Sequence, residues 1–124
     1  MKEFDSGSTR SSEPLEDPEG FLSPYVINQY NDYMARNRTQ ADGNIRNGDN
    51  WQKGMPKARY MRSMWRHFLD VWGVWRQGSD LNVMIDPLCA LMFNVHGMLL
   101  EVLISLGHIK RPIIRSEEDV PKQQ

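Results

Sequence analysis

Apolar residues recur at spacings of three and four in three separate stretches of this chain, and nowhere is there the sustained alternation a sheet would need. In "SPYVINQYNDYMARN", Tyr25, Ile27, Tyr30, Tyr33 and Met34 mark one side of a helix. Ser23 can cap it, and Pro24 suits its first turn because the missing N–H would be unpaired there anyway. The pattern predicts a helix from Ser23 to about Arg38. Met61, Met64, Trp65, Phe68, Leu69, Trp72 and Trp75 repeat the spacing and predict a second helix from about Pro56 to Gln77, ended by Gly78, with this stripe as its buried face. In "IDPLCAL", Asp86 stands at an N-cap position and Pro87 opens a third helix, which runs to about Leu106 and stops at Gly107. Nearly every residue of that helix is apolar, so burial on most sides is expected. The fold class is therefore all-α: a small bundle of about three main helices, completed by oligomerisation because so small a core benefits from partners.

The flanks read differently. Residues 1–20, "MKEFDSGSTRSSEPLEDPEG", cannot bury enough apolar surface to offset their ordering entropy, and predict a disordered or extended arm. Residues 115–124 predict a flexible tail, which leaves a helical domain over 21–114. "TQADGNIRNGDNWQKG" has no sustained period and reads as a long loop, a kind that is usually functional or mobile in a compact domain. "HIKRPIIR" reads as extended. The single cysteine, Cys89, excludes an internal disulfide framework and fits a reducing compartment. No basic region followed by an apolar run opens the chain, and the apolar stretch 88–106 is broken by Asn94, His96, Gly97 and Glu101. The expectation is a cytoplasmic protein with no membrane span.

Charge changes the picture. The net charge is −1, yet Arg59, Arg62, Arg66 and His67 share one side of the second helix with Ser63 and Asp70, opposite the Met/Trp/Phe stripe. A face selected only for solubility would intersperse acids among like charges one turn apart. Guanidinium groups match phosphate oxygens bidentately, so the ladder predicts a polyphosphate ligand. On the third helix, Asp86, Asn94 and Glu101 fall on one side with Ala90 and Gly97 between them. Acids beside small residues in an oily helix predict a lined cavity with cations near. Together these point to Mg²⁺ or Mn²⁺ bridging carboxylates to phosphates, with Asp70, Asp80, Asp86 and Glu101 as candidate metal ligands. His96 lies on the other side and reads as a packing residue. Walker-type loops, HExxH and paired CxxC motifs are all missing from the sequence.

"NWQKGMP", "YMRSMWRHFLDVW", "GSDLN" and "DPLCALMFNVHGMLLE", in that order, resemble the bacteriophage dATP/dGTP diphosphohydrolase family, which is similar to the all-α MazG-type nucleoside triphosphate pyrophosphohydrolases. The resemblance covers about fifty residues. It implies cleavage of a purine deoxynucleoside triphosphate to monophosphate and pyrophosphate with a divalent metal, in a helical homodimer or higher homo-oligomer with sites at the interface. By the same resemblance Arg59, Arg62 and Arg66 hold the β- and γ-phosphates, Lys53 adds charge and Trp51 anchors the loop or stacks on a base. Asn94 ends the family's "A-x-x-FN" element and joins the substrate contacts. His67, Asp70 and Asp86 are the candidates for catalysis. The chain departs from the MazG-type acid pattern, ExxE on one helix and ExxD on another: it offers His67 and Asp70, then Asp86 with Cys89 three residues on. Two other classes stay open, a non-catalytic nucleotide-binding or phage regulatory protein and a small nucleic-acid-binding module. The latter lacks the expected basic excess, the pI being near 6.3.

Overall fold

The structure, a computed structural model, describes residues 2–3, 9–10, 15–78 and 80–111. Among the described residues four α-helices follow one another: α1 (Pro18–Phe21), α2 (Pro24–Arg36), α3 (Lys57–Gln77) and α4 (Ile85–Ser105), with 3-10 turns at Gly48–Lys53 and Leu81–Met84. The all-α class and three long helices match the expectation. Of the N-terminal arm, Lys2–Glu3 and Thr9–Arg10 pair antiparallel and α1 begins at Pro18. The tail at 115–124 and the last residues of "HIKRPIIR" lie outside the described residues.

The predicted end signals act where the sequence put them, with one exception. Ser23 Oγ accepts from the Val26 N–H at 3.3 Å and Pro24 opens α2. Gly78 ends α3 at φ 66°, and Gly107 ends α4 at φ 77°. At that second end His108 N–H donates to Leu103 O and Gly107 N–H to Ile104 O, both at 3.0 Å, the paired bonds of a Schellman motif. The exception is Asp86, which caps nothing. The Leu81–Met84 turn runs straight into α4, and Asp80 does the capping a turn earlier, its Oδ1 accepting from Asn82 N–H at 3.0 Å and Asn82 Nδ2 at 2.9 Å. Asp86 sits inside the first turn of α4, where a carboxylate still complements the helix dipole.

α3 and α4 make the main packing pair, an antiparallel hairpin about 30 Å long by the rise of its 21-residue helices. Lys57 Nζ donates to Ser105 Oγ at 2.8 Å and closes the open end. Tyr60, 1% exposed, packs on Gly97: a Cβ there would lie 2.4 Å from the ring. The Ala90/Asn94/Gly97 side of α4 is thus the packing seam, filled by Tyr60, and not the lined cavity its small residues suggested. Asn94 is buried and donates from Nδ2 to Ala90 O at 2.8 Å. α2 leans on the other flank of α4.

The apolar stripe of α3 does not face this seam. Tyr60 is buried, and Met64, His67, Val71 and Val74, on the same side of the helix by its period, are partly buried, while Trp65, Phe68, Trp72 and Trp75 stand 46–70% exposed. On α4, Leu88, Val95, Leu99 and the capping Leu106 are exposed too, so burial on most sides is not reached. Among the described residues, α2 and α3 cover only two flanks of α4. Helix periodicity puts the two bare stripes on one side of the hairpin, away from α2.

Candidate functional site

The loop after α2 is tied by its own backbone. Arg46 N–H donates to Arg38 O at 2.8 Å and Gln40 N–H to Asn44 O at 2.7 Å, around a Thr39–Ile45 bridge and a turn at Gly43 with φ 86°. Arg38 Nε returns a bond to Arg46 O at 2.9 Å, and Arg46 also donates to Asn37 O. "TQADGNIRNGDNWQKG" is therefore an ordered excursion with a 3-10 turn at its end. Beneath it lies a cavity of about 800 Å³, the size of a small-ligand site.

Its walls come from every long element. α2 supplies Tyr30, Tyr33 and Met34; the loop supplies Arg38, Arg46, Trp51 and Lys53; Tyr60 and the α4 residues Phe93 and His96 form the floor. Trp51 is held edge-on against His96, ring centroids 4.7 Å apart and planes at 82°. Three cations line the cavity, and among its described lining residues there is no carboxylate. Burial pushes the Tyr30 and Tyr33 phenols above their ordinary value, with the Asp86 carboxylate adding to the rise at Tyr33. Both stay neutral hydrogen-bonding groups at physiological pH. Such a space takes a flat aromatic group against its rings and a negative group against Arg38, Arg46 and Lys53.

Of the candidate site residues expected from the sequence, Trp51 and Lys53 line this cavity and the others do not. Arg59, Arg62 and Arg66 are exposed on the outer face of α3 and make no ion pair among the described residues. His67 is half-buried in the helix hairpin, and Asp70 is exposed on α3. Asp86 receives both terminal nitrogens of Arg36, Nη2 to Oδ1 at 3.0 Å and Nη1 to Oδ2 at 3.2 Å, while Arg36 Nε donates to Asp32 at 3.1 Å. Those bonds hold the Asp86 carboxyl below the ordinary carboxylate value. Glu101 accepts from Arg111 Nη2 at 2.6 Å.

The candidate metal carboxylates thus do not meet in one chain. Asp86 and Glu101 are fifteen positions apart on a single helix, roughly 22 Å along its axis. Among the described residues no group of three or more His, Cys, Asp or Glu could hold an ion. A single chain does not fit a metal centre built from Asp70, Asp80, Asp86 and Glu101. The sequence reading missed Tyr30, Tyr33, Arg38, Arg46, Phe93 and His96, which converge only once the loop folds back. The one signal for them was the unusual length of that loop. Compared with protein-family models, curated proteins and solved structures, the chain matches none.

Proposed function

We propose that this protein binds a purine deoxynucleoside triphosphate in the cavity between α2, the 38–55 loop and the α3/α4 hairpin, and cleaves it to monophosphate and pyrophosphate. The observation that carries the binding is the lining itself: aromatic rings from α2, the loop, α3 and α4 with Arg38, Arg46 and Lys53. The base lies among Tyr30, Tyr33 and Trp51, and the phosphates meet the cations. Hydrolysis and the need for Mg²⁺ or Mn²⁺ rest on the resemblance of "NWQKG" and the "RH" pair to the phage diphosphohydrolases. A homo-oligomer belongs to the same reading, since one chain leaves its carboxylates dispersed and an apolar face bare.

A second reading has its own support. Asp86 and Glu101 are each engaged by an arginine, and that favours a nucleotide-binding or regulatory protein without turnover. Incubation of the purified protein with each (d)NTP and Mg²⁺ or Mn²⁺, with mono- and diphosphate products resolved, separates the two. dAMP or dGMP with pyrophosphate is the expected result. Binding without any product supports the second reading, and no binding of any nucleotide refutes both.

A further inference from the structure

We infer that Glu101 and Arg111 form a latch that holds the "NWQKG" loop over the cavity, so that Glu101 is a positioning residue for the nucleotide and not a metal ligand. The inference rests on the nucleotide reading for its purpose, but its geometry is independent. Arg111 lies four residues beyond the glycine that ends α4, where the chain has turned back along the helix. Its guanidinium makes two bonds at once. Nη2 donates to Glu101 Oε1 at 2.6 Å, and Nη1 donates to the backbone carbonyl of Gln52 at 2.8 Å. Gln52 stands between Trp51 and Lys53, the two loop residues that line the cavity. One side chain thereby couples a carboxylate on a rigid helix to the middle of the loop.

The fit around this pair is tight. Gly54 adopts φ 74°, and a Cβ on it would lie 2.3 Å from Glu101 Oε2 and 2.6 Å from Arg111 Nη1. The loop backbone is pressed against the ion pair, with no room for any side chain between them. Glu101 is only 12% exposed; its Oε1 takes the bond from Arg111, and its Oε2 accepts none among the described groups. Arg111 supplies the counter-charge to this enclosed carboxylate, and losing either member leaves the other uncompensated. The Gln52 side-chain oxygen is likewise buried without a partner. The loop therefore carries a desolvation cost in its closed position, which the charge-assisted bonds from Arg111 offset. Parting the latch would let Trp51 and Lys53 leave the cavity together.

The test compares the full-length protein with Glu101→Gln, Arg111→Ala and the double variant. Two readouts are used: amide hydrogen exchange over residues 48–54 without nucleotide, and the dissociation constant for dATP measured both in EDTA and with Mg²⁺. Each single variant should exchange about tenfold faster over 48–54 with α4 unchanged, and bind dATP about tenfold more weakly, the scale of a lost bond to a charged group. The double variant should lose no more than the worse single, because the two residues act through one contact. Unchanged exchange in Arg111→Ala, or additive losses in the double variant, would overturn the latch. So would a loss of Mg²⁺-stimulated dATP binding in Glu101→Gln alone, which is what a metal ligand predicts. Faster exchange in the variants of a protein that binds no dATP would uphold the latch and refute the nucleotide reading. Arg111 is exposed near the end of the described chain and outside the helices, and unchanged exchange over α4 checks that its replacement leaves the fold in place.

Discussion

Lys53 is exposed at the mouth of the cavity and makes no ion pair among the described residues, so its charge is free to meet a ligand. Lys53→Ala should weaken dATP or dGTP binding by about 1.5–3 kcal/mol, the range for hydrogen bonds to charged groups, with helix content unchanged. Calorimetric titration reads the affinity and circular dichroism the fold. Arg66→Ala is the informative companion, because Arg66 was singled out for its place in the ladder and sits on the outer face of α3. A loss at Arg66 equal to that at Lys53 would move the phosphates out of the cavity and onto α3. The residue scale is also where the sequence was hardest to read. Trp51 and Lys53 could be found from a local motif, but the arginines that engage the acids could not. Asp86 meets Arg36 from fifty residues away, and Glu101 meets Arg111 from beyond the helix end. An acid in an oily helix reads the same in sequence whether its counter-charge is a metal or a distant guanidinium.

At the scale of the elements, the start of α2, the ends of α3 and α4, and the period of each helix were legible because Ser, Pro and Gly act through local backbone geometry. Which apolar face packs was not. α3 carries two, and the broader aromatic one is the one left bare, since the choice depends on Gly97 admitting the Tyr60 ring. Gly97→Ala would force that ring aside and should destabilise the protein by about 1–3 kcal/mol, the usual range for overpacking. A thermal melt checks it, and an unchanged midpoint would mean that the seam is loose. The same tyrosine bears on pH. Burial raises the phenols of Tyr60, Tyr30 and Tyr33 above the ordinary value of 10.0. A raised folded value means that the stability they carry is complete below pH 10 and falls as pH climbs through the folded values, where the unfolded chain has already released its protons. Denaturant midpoints should thus hold from neutrality to about pH 10 and decline beyond it, and a flat profile to higher pH would contradict the burial of these rings.

At the scale of the molecule, the described residues leave an apolar face on one side of the α3/α4 hairpin. Trp65, Phe68, Trp72 and Trp75 on one helix, with Leu88, Val95, Leu99 and Leu106 at the other, exceed the scattered apolar surface that a monomer normally shows. Each exposed aromatic offers about 100 Å² or more, so this face can supply the roughly 800 Å² per partner of a stable interface. The oligomer expected from the sequence should bury it. Light scattering at micromolar concentration should give at least a dimer, and Trp72→Glu should shift it toward monomer. A wild-type monomer that binds no exposed-surface dye would refute this.

The central claim is that a purine deoxynucleotide occupies the cavity under the loop, and photo-crosslinking with 8-azido-dATP followed by peptide mapping tests it most directly. The account predicts labelling within residues 30–34 or 46–55, competed away by unlabelled dATP and reduced in Lys53→Ala. Competable labelling confined to residues 59–70 on the outer face of α3, or none above that of the denatured protein, would contradict it.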